Sequence, residues 1–218
     1  MSQGARYKFI GSTIQVSTGI GGVSPTPTIS AISLTNPAVV TAAGNGLAEG
    51  DVAKLSGIVG ATQFNGNLYA VDDPVGSTFE LAGEDNSAGN AYVSGGLVDK
   101  VTFSAFCELT GLNQQGGGAD QEEVSTVCST AKEFEQGLSD SGTLSVDFNF
   151  APNSAVQTAL RAAEISGEKV AVKVVLPNSG GTIIMIGTVQ TTGFNGQIGQ
   201  AVWRGTASLK LSGPLFVL

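Results

Sequence analysis

The amino-acid sequence predicts a mainly β protein of the α+β class, built as a β-sandwich or barrel with one packed α-helix. Apolar and polar residues alternate over several long stretches, which is the pattern of half-buried antiparallel strands. Glycine accounts for 31 of the 218 residues, and charged residues make up only 13 % of the chain. This composition is typical of a β protein with many turns, because coiled coils and disordered chains carry more charge.

The clearest alternations lie in four stretches, residues 100–109, 142–150, 169–176 and 203–211. Each stretch has apolar residues at every second position, so we expect four strands that each turn one face to a core. The apolar faces consist of Val101, Phe103, Ala105, Cys107 and Leu109; of Leu144, Val146, Phe148 and Phe150; of Val170, Val172, Val174 and Leu176; and of Trp203, Ala207, Leu209 and Leu211.

The stretch 182–189 differs from these four because it is apolar on both faces. Ile183, Ile184, Met185 and Ile186 follow one another in the sequence, whereas a half-solvated strand carries polar residues at alternate positions. We therefore expect this strand to be covered on both sides, by the helix, by a second sheet or by a neighbouring subunit.

One helix is predicted between Pro152 and Gly167. Asn153 supplies an N-cap directly after the proline, and Gly167 is a natural residue for the position just past the helix end. The spacing of apolar residues is that of an amphipathic helix laid on a sheet. The apolar face consists of Val156, Ala159, Leu160 and Ala163, and the solvent face consists of Gln157, Arg161 and Glu164.

Residues 27–99 differ from the segments on either side, because they contain short strands separated by closely spaced turns. Turns at intervals of about ten residues are typical of a small sandwich or barrel, and Asn65-Gly66 is a strong hairpin signal. We therefore predict a discontinuous core domain of residues 1–26 and 100–218, interrupted by a small all-β domain of residues 27–99.

The segment 110–127 is predicted to be an irregular loop. It contains the three glycines Gly116–Gly118 and the acidic residues Asp120, Glu122 and Glu123, and its residues could not form a core. A loop of this length in a compact domain is functional or disordered. Such a loop can become ordered against a neighbouring molecule, as binding loops do.

Composition excludes several classes of site. The sequence has no histidine, which rules out Ser-His-Asp and Cys-His arrangements, the usual zinc sites and the commonest general base. The net charge of −8 and the lack of a basic cluster disfavour a protein that grips phosphates. Acidic residues at 72–73 and 84–85 lack the spacing of a calcium loop, and turns account for them. No catalytic, cofactor-binding or metal site is therefore predicted.

Two cysteines, Cys107 and Cys128, are too few for a disulfide scaffold, and we expect both to be reduced and buried. The first residues show no apolar signal-peptide region, and no apolar run approaches the length of a membrane span. Mean hydropathy is +0.19, and with so few charges this indicates a surface partly covered by partners. We expect a protein that is made in a cytoplasm and kept there or assembled into something larger.

Residues 125–142 contain a Lys-Glu-Phe step at 132–134 and a Gly-Leu-x-Asp-x-Gly turn at 137–142, before a long strand. An Asn-Phe-x-Pro approach to the helix follows at 149–152. Further along come Leu176-Pro177, Phe194-Asn195-Gly196 and a closing strand that ends at Leu211-Ser212-Gly213. In this order of elements, residues 100–213 resemble the major tail tube proteins of long, non-contractile, siphovirus-like phage tails.

This resemblance implies a structural virion protein and no enzyme, with subunits that form rings of six. The rings would stack into a tail tube that conducts DNA during ejection. The implied partners are other copies of the chain, the tape measure protein in the lumen, and the tail terminator and baseplate or tail-tip proteins. DNA would pass without specific binding, and neither a cofactor nor a membrane would take part. An acidic lumen would repel DNA within a Debye length of about 10 Å, although acidity also serves solubility.

Two segments are candidates for the contact between rings. The first is the acidic, glycine-rich loop, and the second is the N-terminal arm from Ser2 to Lys8. The candidate residues are Gln114, Gln115, Gly116, Gly117, Gly118, Asp120, Glu122 and Glu123 in the loop, and Tyr7 and Lys8 in the arm.

The predicted inserted domain carries a second resemblance. Asn36-Pro37-Ala38-Val39-Val40-Thr41, Gly50-Asp51-Val52 and Thr78-Phe79-Glu80-Leu81 are similar to a small β domain found as an insertion in ubiquitin-activating enzymes, which also decorates phage structural proteins. The shared pattern concerns packing and implies no ubiquitin chemistry. In a tube, such a domain would have to project outward.

Two other functions remain open from the residues alone. A surface adhesin or carbohydrate-binding protein needs exposed aromatic side chains in a groove, but aromatic residues make up only 6 % of the chain and Trp203 is expected in the core. A polysaccharide-degrading enzyme needs paired carboxylates. The candidate pairs, Asp72 with Glu84 and Asp140 with Asp147, are too generic to single out.

Overall fold

The computed structural model describes residues 6–21, 26–199 and 201–218. These residues form fifteen strands and one α-helix. The first seven strands are β1 (Thr13–Ile20), β2 (Ile29–Ile32), β3 (Ala38–Ala42), β4 (Val52–Val59), β5 (Leu68–Val75), β6 (Thr78–Leu81) and β7 (Ser94–Ala105). The rest are β8 (Leu109–Gln115), β9 (Ala119–Glu123), β10 (Phe134–Ser139), β11 (Thr143–Asn149), the helix α1 (Ala155–Ser166), β12 (Lys169–Val175), β13 (Thr182–Asn195), β14 (Arg204–Leu211) and β15 (Phe216–Val217).

Antiparallel pairing links most strands into one continuous sheet. The order of neighbours is β2-β3-β6-β5-β4-β7-β1-β12-β13-β14-β11-β8, and β15 pairs with the start of β13. Strands β9 and β10 pair only with each other, as a separate two-stranded ribbon. The mainly β fold with one helix that the sequence predicts is confirmed.

Strands β2 to β6 and the first half of β7 enclose one core, and we call this unit the first barrel. A backbone bridge between Thr28 and Leu97 brings the β2 end of the sheet back to β7 and closes the strand circuit. Short strands with alternating burial, such as Thr78–Leu81, supply the side chains. The core consists of Ile29, Ile32, Ala38, Val40, Ala42, Ala53, Leu55, Ile58, Ala61, Phe64, Tyr69, Val71, Phe79, Leu81 and Val98.

The remaining strands wrap around α1 and enclose a second core, and we call this unit the wall domain. It comprises the second half of β7 with β1, β12, β13, β14, β11 and β8. Strands at both ends of this series supply one core, and Phe106 meets Phe148 with ring centroids 5.2 Å apart. The core includes Ile14, Val16, Leu144, Val146, Val156, Leu160, Val170, Val172, Met185, Val189, Ala207, Leu209 and Leu211.

A third, smaller cluster joins the two units. Val52, Ala70 and Ala82 of the first barrel pack with Ala171, Ile184 and Ile186 of the wall domain. Met185 points to the opposite side and belongs to the core around α1. The expectation that the start of β13 is covered on both faces is therefore confirmed. Burying apolar surface on both faces fixes this strand between the two units.

The helix matches its prediction except at its N-cap and at one buried residue. Gly167 adopts the left-handed conformation with φ of 72°, and its N–H donates to the Ala163 carbonyl at 2.8 Å. Ser154 rather than Asn153 occupies the N-cap position. Gln157 was expected in solvent but is buried, because its side chain accepts a hydrogen bond from Ala151 N–H and donates one to the Asn149 carbonyl. The connection from β11 to α1 needs these bonds, since its own backbone groups lie outside regular structure.

Residues 103–109 depart from the predicted alternation. Strand β7 ends at Ala105, and the chain then turns, with Leu109 N–H donating to the Phe106 carbonyl at 3.3 Å. Val101 and Phe103 face the small cluster that joins the two units, whereas Phe106 lies on the opposite face, in the core around α1. Phe106 is therefore buried, while Ala105 and Cys107 are exposed. Cys128 is also exposed, and both thiols are free. The expectation that both cysteines are buried was therefore wrong. Within the described ranges, no helix has the length and hydropathy needed to cross a membrane.

Candidate assembly interface

The predicted irregular loop at 110–127 is wrong in conformation. Most of this segment is strand: β8 pairs with β11, and β9 pairs with β10. The two pairs follow one another, so residues 109–149 form one long hairpin, whose inner part, β8 and β11, belongs to the large sheet. We call its outer part, residues 116–142, the arm. All six residues of β10 and four of the five in β9 are exposed.

The arm lacks the signal on which strand prediction relies. Its strands have no buried face, so no apolar residue recurs at every second position. Hydrogen bonds of the ladder hold it instead, with Phe134 opposite Glu123 and Ser139 opposite Ala119. A ribbon of this kind, exposed on both faces, is marginally stable in water unless another surface covers it.

Two glycines and one ion pair fix the base of the arm. A Cβ atom on Gly117 would lie 1.6 Å from the Asp140 carbonyl oxygen, so the two strands touch through their backbones there. The Asp140 carboxylate accepts a hydrogen bond from Gly142 N–H at 2.9 Å and forms an ion pair with Lys210 of β14. The hydrogen bond from Lys210, followed by that from Gly142, lowers the pKa of Asp140. The base is thereby tied to the wall domain.

The surface of the arm combines negative charge with exposed apolar side chains. Its residues include six carboxylates and one lysine, and that lysine, Lys132, pairs with Glu123 at 2.8 Å. Phe134 is 53 % exposed and Leu138 is 92 % exposed. Exposed side chains of this size are typical of a contact surface when several lie together. The carboxylates are Asp120, Glu122, Glu123, Glu133, Glu135 and Asp140.

The eight candidate loop residues fall in three places. Gln114 and Gln115 belong to β8 and pair with Leu144 and Thr143 of β11, so they are part of the wall domain. Gly116, Gly117 and Gly118 form the base of the arm. Asp120, Glu122 and Glu123 lie on β9.

The candidate N-terminal contact lies elsewhere. Tyr7 packs beside Gly180 in the turn between β12 and β13, where a Cβ atom would lie 2.5 Å from the Tyr7 ring. Lys8 is exposed, and its carbonyl accepts a hydrogen bond from the Ser12 hydroxyl at 3.3 Å. Within the described residues, no hydrogen bond or ion pair joins Tyr7 or Lys8 to the arm. Ser2 to Ala5 lie outside the described residues.

A second exposed surface lies at the opposite end of the wall strands, and we call it the aromatic patch: Phe150, Phe194, Trp203, Arg161 and Arg204. The rings of Phe150 and Phe194 stack with centroids 4.6 Å apart, and Trp203 meets Phe194 edge to face at 6.0 Å. The Arg161 guanidinium lies 5.9 Å from the centre of the Phe150 ring. Phe194 is 61 % exposed.

The expectation that Trp203 is in the core is therefore wrong. The ring is 57 % exposed, because β14 begins one residue later, at Arg204. Trp203 covers Gly196, where a Cβ atom would lie 2.7 Å from the indole. Ile198 and Val202 extend the same surface. The connection that carries these residues contains glycine and shows no alternation. These two features are the sequence signal that could have identified a surface patch.

A cleft of about 240 Å³ opens beside the aromatic patch, between α1 and β13. Its lining combines apolar side chains from the core with the two charged residues Arg161 and Glu164. The Glu164 carboxylate accepts hydrogen bonds from the backbone N–H of Thr192, at 3.1 Å, and from its hydroxyl. Ile165 borders the cleft and is 82 % exposed.

The outward face of β13, β14, β11 and β8 is lined by short polar side chains, and we call it the hydroxyl face. Paired residues share a face, so Ser145 lies between Asn113 and Ser208, and Thr191 continues that row. A parallel row places Asp147 between Gly111 and Thr206. The face is made of Gly111, Asn113, Gln115, Thr143, Ser145, Asp147, Asn149, Thr188, Thr191, Gly193, Asn195, Arg204, Thr206, Ser208 and Lys210.

The described ranges contain no group of three or more cysteine, aspartate or glutamate side chains placed to hold a metal ion. Two carboxylates of the candidate enzymatic pairs take part in local contacts. Asp140 binds Lys210, and the Asp72 carboxylate accepts a hydrogen bond from Asp73 N–H at 2.9 Å. The arm, the aromatic patch and the hydroxyl face are therefore the candidate functional surfaces.

Comparison with known proteins gives a match to one family model. Residues 92–197, just under half of the chain, match the family model described as phage tail tube, TTP, lambda-like. A chain of the solved structure "Tail of empty GTA particle computed with helical refinement, C6 symmetry" is similar over 53 % of this chain and 86 % of that chain, with 15 % identity and a TM-score of 0.43. No curated protein matches the sequence. The family match and the mainly β fold support a structural tail tube protein that is part of the virion.

Proposed function

We propose that this structural tail tube protein assembles with copies of itself into rings, six subunits to a ring, which stack into the tube that conducts DNA during ejection. The observation that carries the proposal is the match of residues 92–197 to the lambda-like tail tube family. The matched segment includes the arm, α1 and most of the wall strands. The tape measure protein would fill the lumen, and the tail terminator and baseplate or tail-tip proteins would bind the two ends.

The proposed lumen lining is the hydroxyl face. Its side chains are short and mostly uncharged, and the charged residues on it are Asp147, Arg204 and Lys210. Of these, Lys210 is already paired with Asp140. A wall with little net positive charge gives a phosphate backbone few places to bind. On this proposal, DNA passes easily because cations are few, and an excess of lumen carboxylates is not required.

The proposed position of the first barrel is the outside of the tube. It covers Ala171, Ile184 and Ile186 on β12 and the start of β13. The hydroxyl face lies on the later part of the same sheet, which wraps around a single core. Opposite sides of a wrapped sheet face in opposite directions, so one side can line a lumen while the other carries an outward domain. We retain residues 27–99 as the proposed extent of this domain and its likeness to the ubiquitin-activating-enzyme insertion as a proposal.

The arm is the first candidate for the contact between stacked rings, and the segment around Tyr7 and Lys8 is the second. An extended ribbon with exposed apolar and charged side chains gains stability when a partner covers it. The arm has these properties along its whole length. The N-terminal candidate has less exposed surface, since Tyr7 already packs against the turn at Gly180.

Negative-stain electron microscopy of the purified protein at high concentration tests the proposal. Tubes or stacked rings with a central hole are the expected result, and averaged end views give the number of subunits. External knobs would place the first barrel outside. Monodisperse small particles at every concentration, also in the presence of tail-tip proteins, would count against self-assembly.

A carbohydrate-binding surface protein is the second candidate. The specific observation in its favour is the exposed pair Phe194 and Trp203, since stacked sugars need accessible aromatic faces. A glycan array probed with the wild-type protein and with Trp203→Ala tests it. Glycan binding that is lost in the variant would support this reading.

A further inference from the structure

We propose that the arm of one copy docks on the aromatic patch of the next copy along the tube. This inference rests on the proposed function, because it names the surface that receives the arm in the stack. It commits to a second copy of this chain as the occupant of the patch.

The first argument is position. Strand β11 runs from Thr143, at the base of the arm, to Asn149, which pairs with Arg204 at the patch. Seven residues of antiparallel strand span about 20 Å. The arm and the patch therefore lie at opposite ends of the same strands. A contact between two different surfaces at opposite ends of one molecule is head to tail, and it repeats along an axis without closing on itself.

The second argument is apolar surface. The patch exposes Phe194 and Trp203 next to Ile198, and the adjacent cleft is bordered by the exposed Ile165. The arm exposes Phe134 and Leu138. Clusters of large exposed apolar side chains on a structural protein mark contact sites. Aromatic side chains beside arginine are also the residues that most often dominate binding energy at interfaces.

The third argument is charge. The chain has three arginines, and two of them, Arg161 and Arg204, lie at the patch. Within the described ranges neither forms an ion pair. The nearby carboxylates of Glu164 and Glu108 accept hydrogen bonds from the neutral groups of Thr192 and Ser154 and, in the described part of the chain, form no ion pair with either arginine. The arm has six carboxylates and one lysine, so attraction between arm and patch guides the pairing while repulsion keeps two arms apart.

Cys128 provides a direct test, because it lies between β9 and β10 at the tip of the arm. The test protein carries Cys107→Ser and Ile198→Cys, and a short bis-maleimide is added to the assembled material. Head-to-tail docking links Cys128 of each copy to the thiol at position 198 of the next. The expected product is a ladder of dimers, trimers and longer species on a denaturing gel.

The matched control carries Val93→Cys in place of Ile198→Cys, since Val93 is also an exposed position and lies near the first barrel, with 68 % exposure. It should give no ladder. A ladder with Val93→Cys and none with Ile198→Cys overturns the docking. A Cys107→Ser protein with Cys128 alone should also give no dimers, and strong dimers would indicate contacts between arms instead.

A second measurement uses substitutions. Trp203→Ala and Leu138→Asp should each raise the protein concentration needed for tubes at least about tenfold, which is the effect of losing one good interface contact. Val75→Ala, an exposed substitution on the first barrel, should leave assembly unchanged. Melting temperatures of the monomers confirm that the variants fold.

The outcomes separate the two proposals. Tubes that form normally from both Trp203→Ala and Leu138→Asp, without cross-links to position 198, overturn the docking and leave the tube assembly standing. A wild-type protein that forms no tubes with or without tail-tip proteins overturns the tube assembly, and the docking with it. Glycan binding at Trp203 combined with normal tubes from Trp203→Ala assigns the patch to carbohydrate and also overturns the docking.

Discussion

Gly117 and Gly142 pass each other with their backbones in contact, and neither position has room for a side chain. A Cβ atom on Gly117 would lie 1.6 Å from the Asp140 carbonyl oxygen, and one on Gly142 would lie 2.1 Å from the Gln115 carbonyl oxygen. Gly142 also has a positive φ of 88°. The glycines at the base of the arm therefore hold the two strands together, which differs from the flexible loop that three consecutive glycines predict.

Alanine at Gly117 or Gly142 should loosen the arm. The added methyl group forces the strands apart, at a cost of about 1–3 kcal/mol in local stability, and the positive φ adds to this at Gly142. Faster hydrogen exchange of the β9 and β10 amides is the expected measurement. Gly118→Ala is the control, since a Cβ atom there meets nothing within 4 Å. Equal exchange rates in all three variants would show that the close approach has no energetic weight.

Replacing residues 118–141 by Asn-Gly should give a folded protein that cannot form tubes. The close approach of Gly117 and Gly142 allows a two-residue turn to close β8 onto β11. The wall core contains no side chain from the excised segment, so the melting temperature should change by only a few degrees. Circular dichroism, sedimentation and electron microscopy check the three parts of this prediction. Normal tubes from this variant would remove the arm from the assembly contact.

Ile184→Ala should destabilise both units together. The side chain is fully buried in the cluster that joins the first barrel to the wall domain, and losing such a residue costs about 2–5 kcal/mol. A single unfolding transition, shifted to lower denaturant, is expected in chemical denaturation. Val127→Ala, at a fully exposed position of the arm, should stay within about 0.5 kcal/mol of wild type. Two separate transitions in the Ile184 variant would mean that the junction does not couple the units.

Glu84→Gln should change the dependence of stability on pH. Burial raises the pKa of Glu84 above 4.5, against a smaller opposing effect of Lys169. A raised pKa means that the folded state holds the proton more tightly, so this group stabilises fully below pH 4.5 and loses that contribution as pH rises through its folded pKa. The variant should gain on wild type in melting temperature between pH 4.5 and neutral. A difference that stays constant with pH would contradict this.

The same substitution provides a second readout at Tyr69. Burial, and then the charge of Glu84, raise the pKa of the Tyr69 hydroxyl to about 12. Removing that charge should lower the pKa toward its ordinary value of 10, as followed by ultraviolet titration of the tyrosines. An unchanged pKa would mean that the charge of Glu84 has no effect on this hydroxyl.

Alternation of apolar and polar residues predicts those strands that have one buried face and one solvent-exposed face. Leu144, Val146 and Phe148 are buried as expected, and so are Ala207, Leu209 and Leu211. The run of isoleucines at 183–186 indicates a strand covered on both sides, which the two cores confirm. In each case the pattern of apolar residues follows from which faces of the strand are buried, so the burial can be predicted from the sequence.

Sequence patterns do not predict the structure where hydrogen bonds or strand ends determine it. The arm has no buried face, and its ladder leaves no periodic trace. Trp203 follows the apolar parity of β14 but precedes its first paired residue, so its ring lies outside the core. Gln157 is buried because two backbone groups in the preceding connection need partners. These three errors concern the patch, the arm and the helix that borders the patch, so the site was harder to predict than the fold.

Strand β7 runs without interruption from the first barrel into the wall domain: residues 94–100 pair with β4, and residues 101–105 pair with β1. If the first barrel projects from the tube as proposed, it is attached without a flexible hinge. A force on the first barrel, from drag in the medium or from contact with a cell surface, would be transmitted rigidly. It would reach the wall domain through the two ladders of hydrogen bonds. A decoration carried on a flexible tether would instead yield before any load reached the tube.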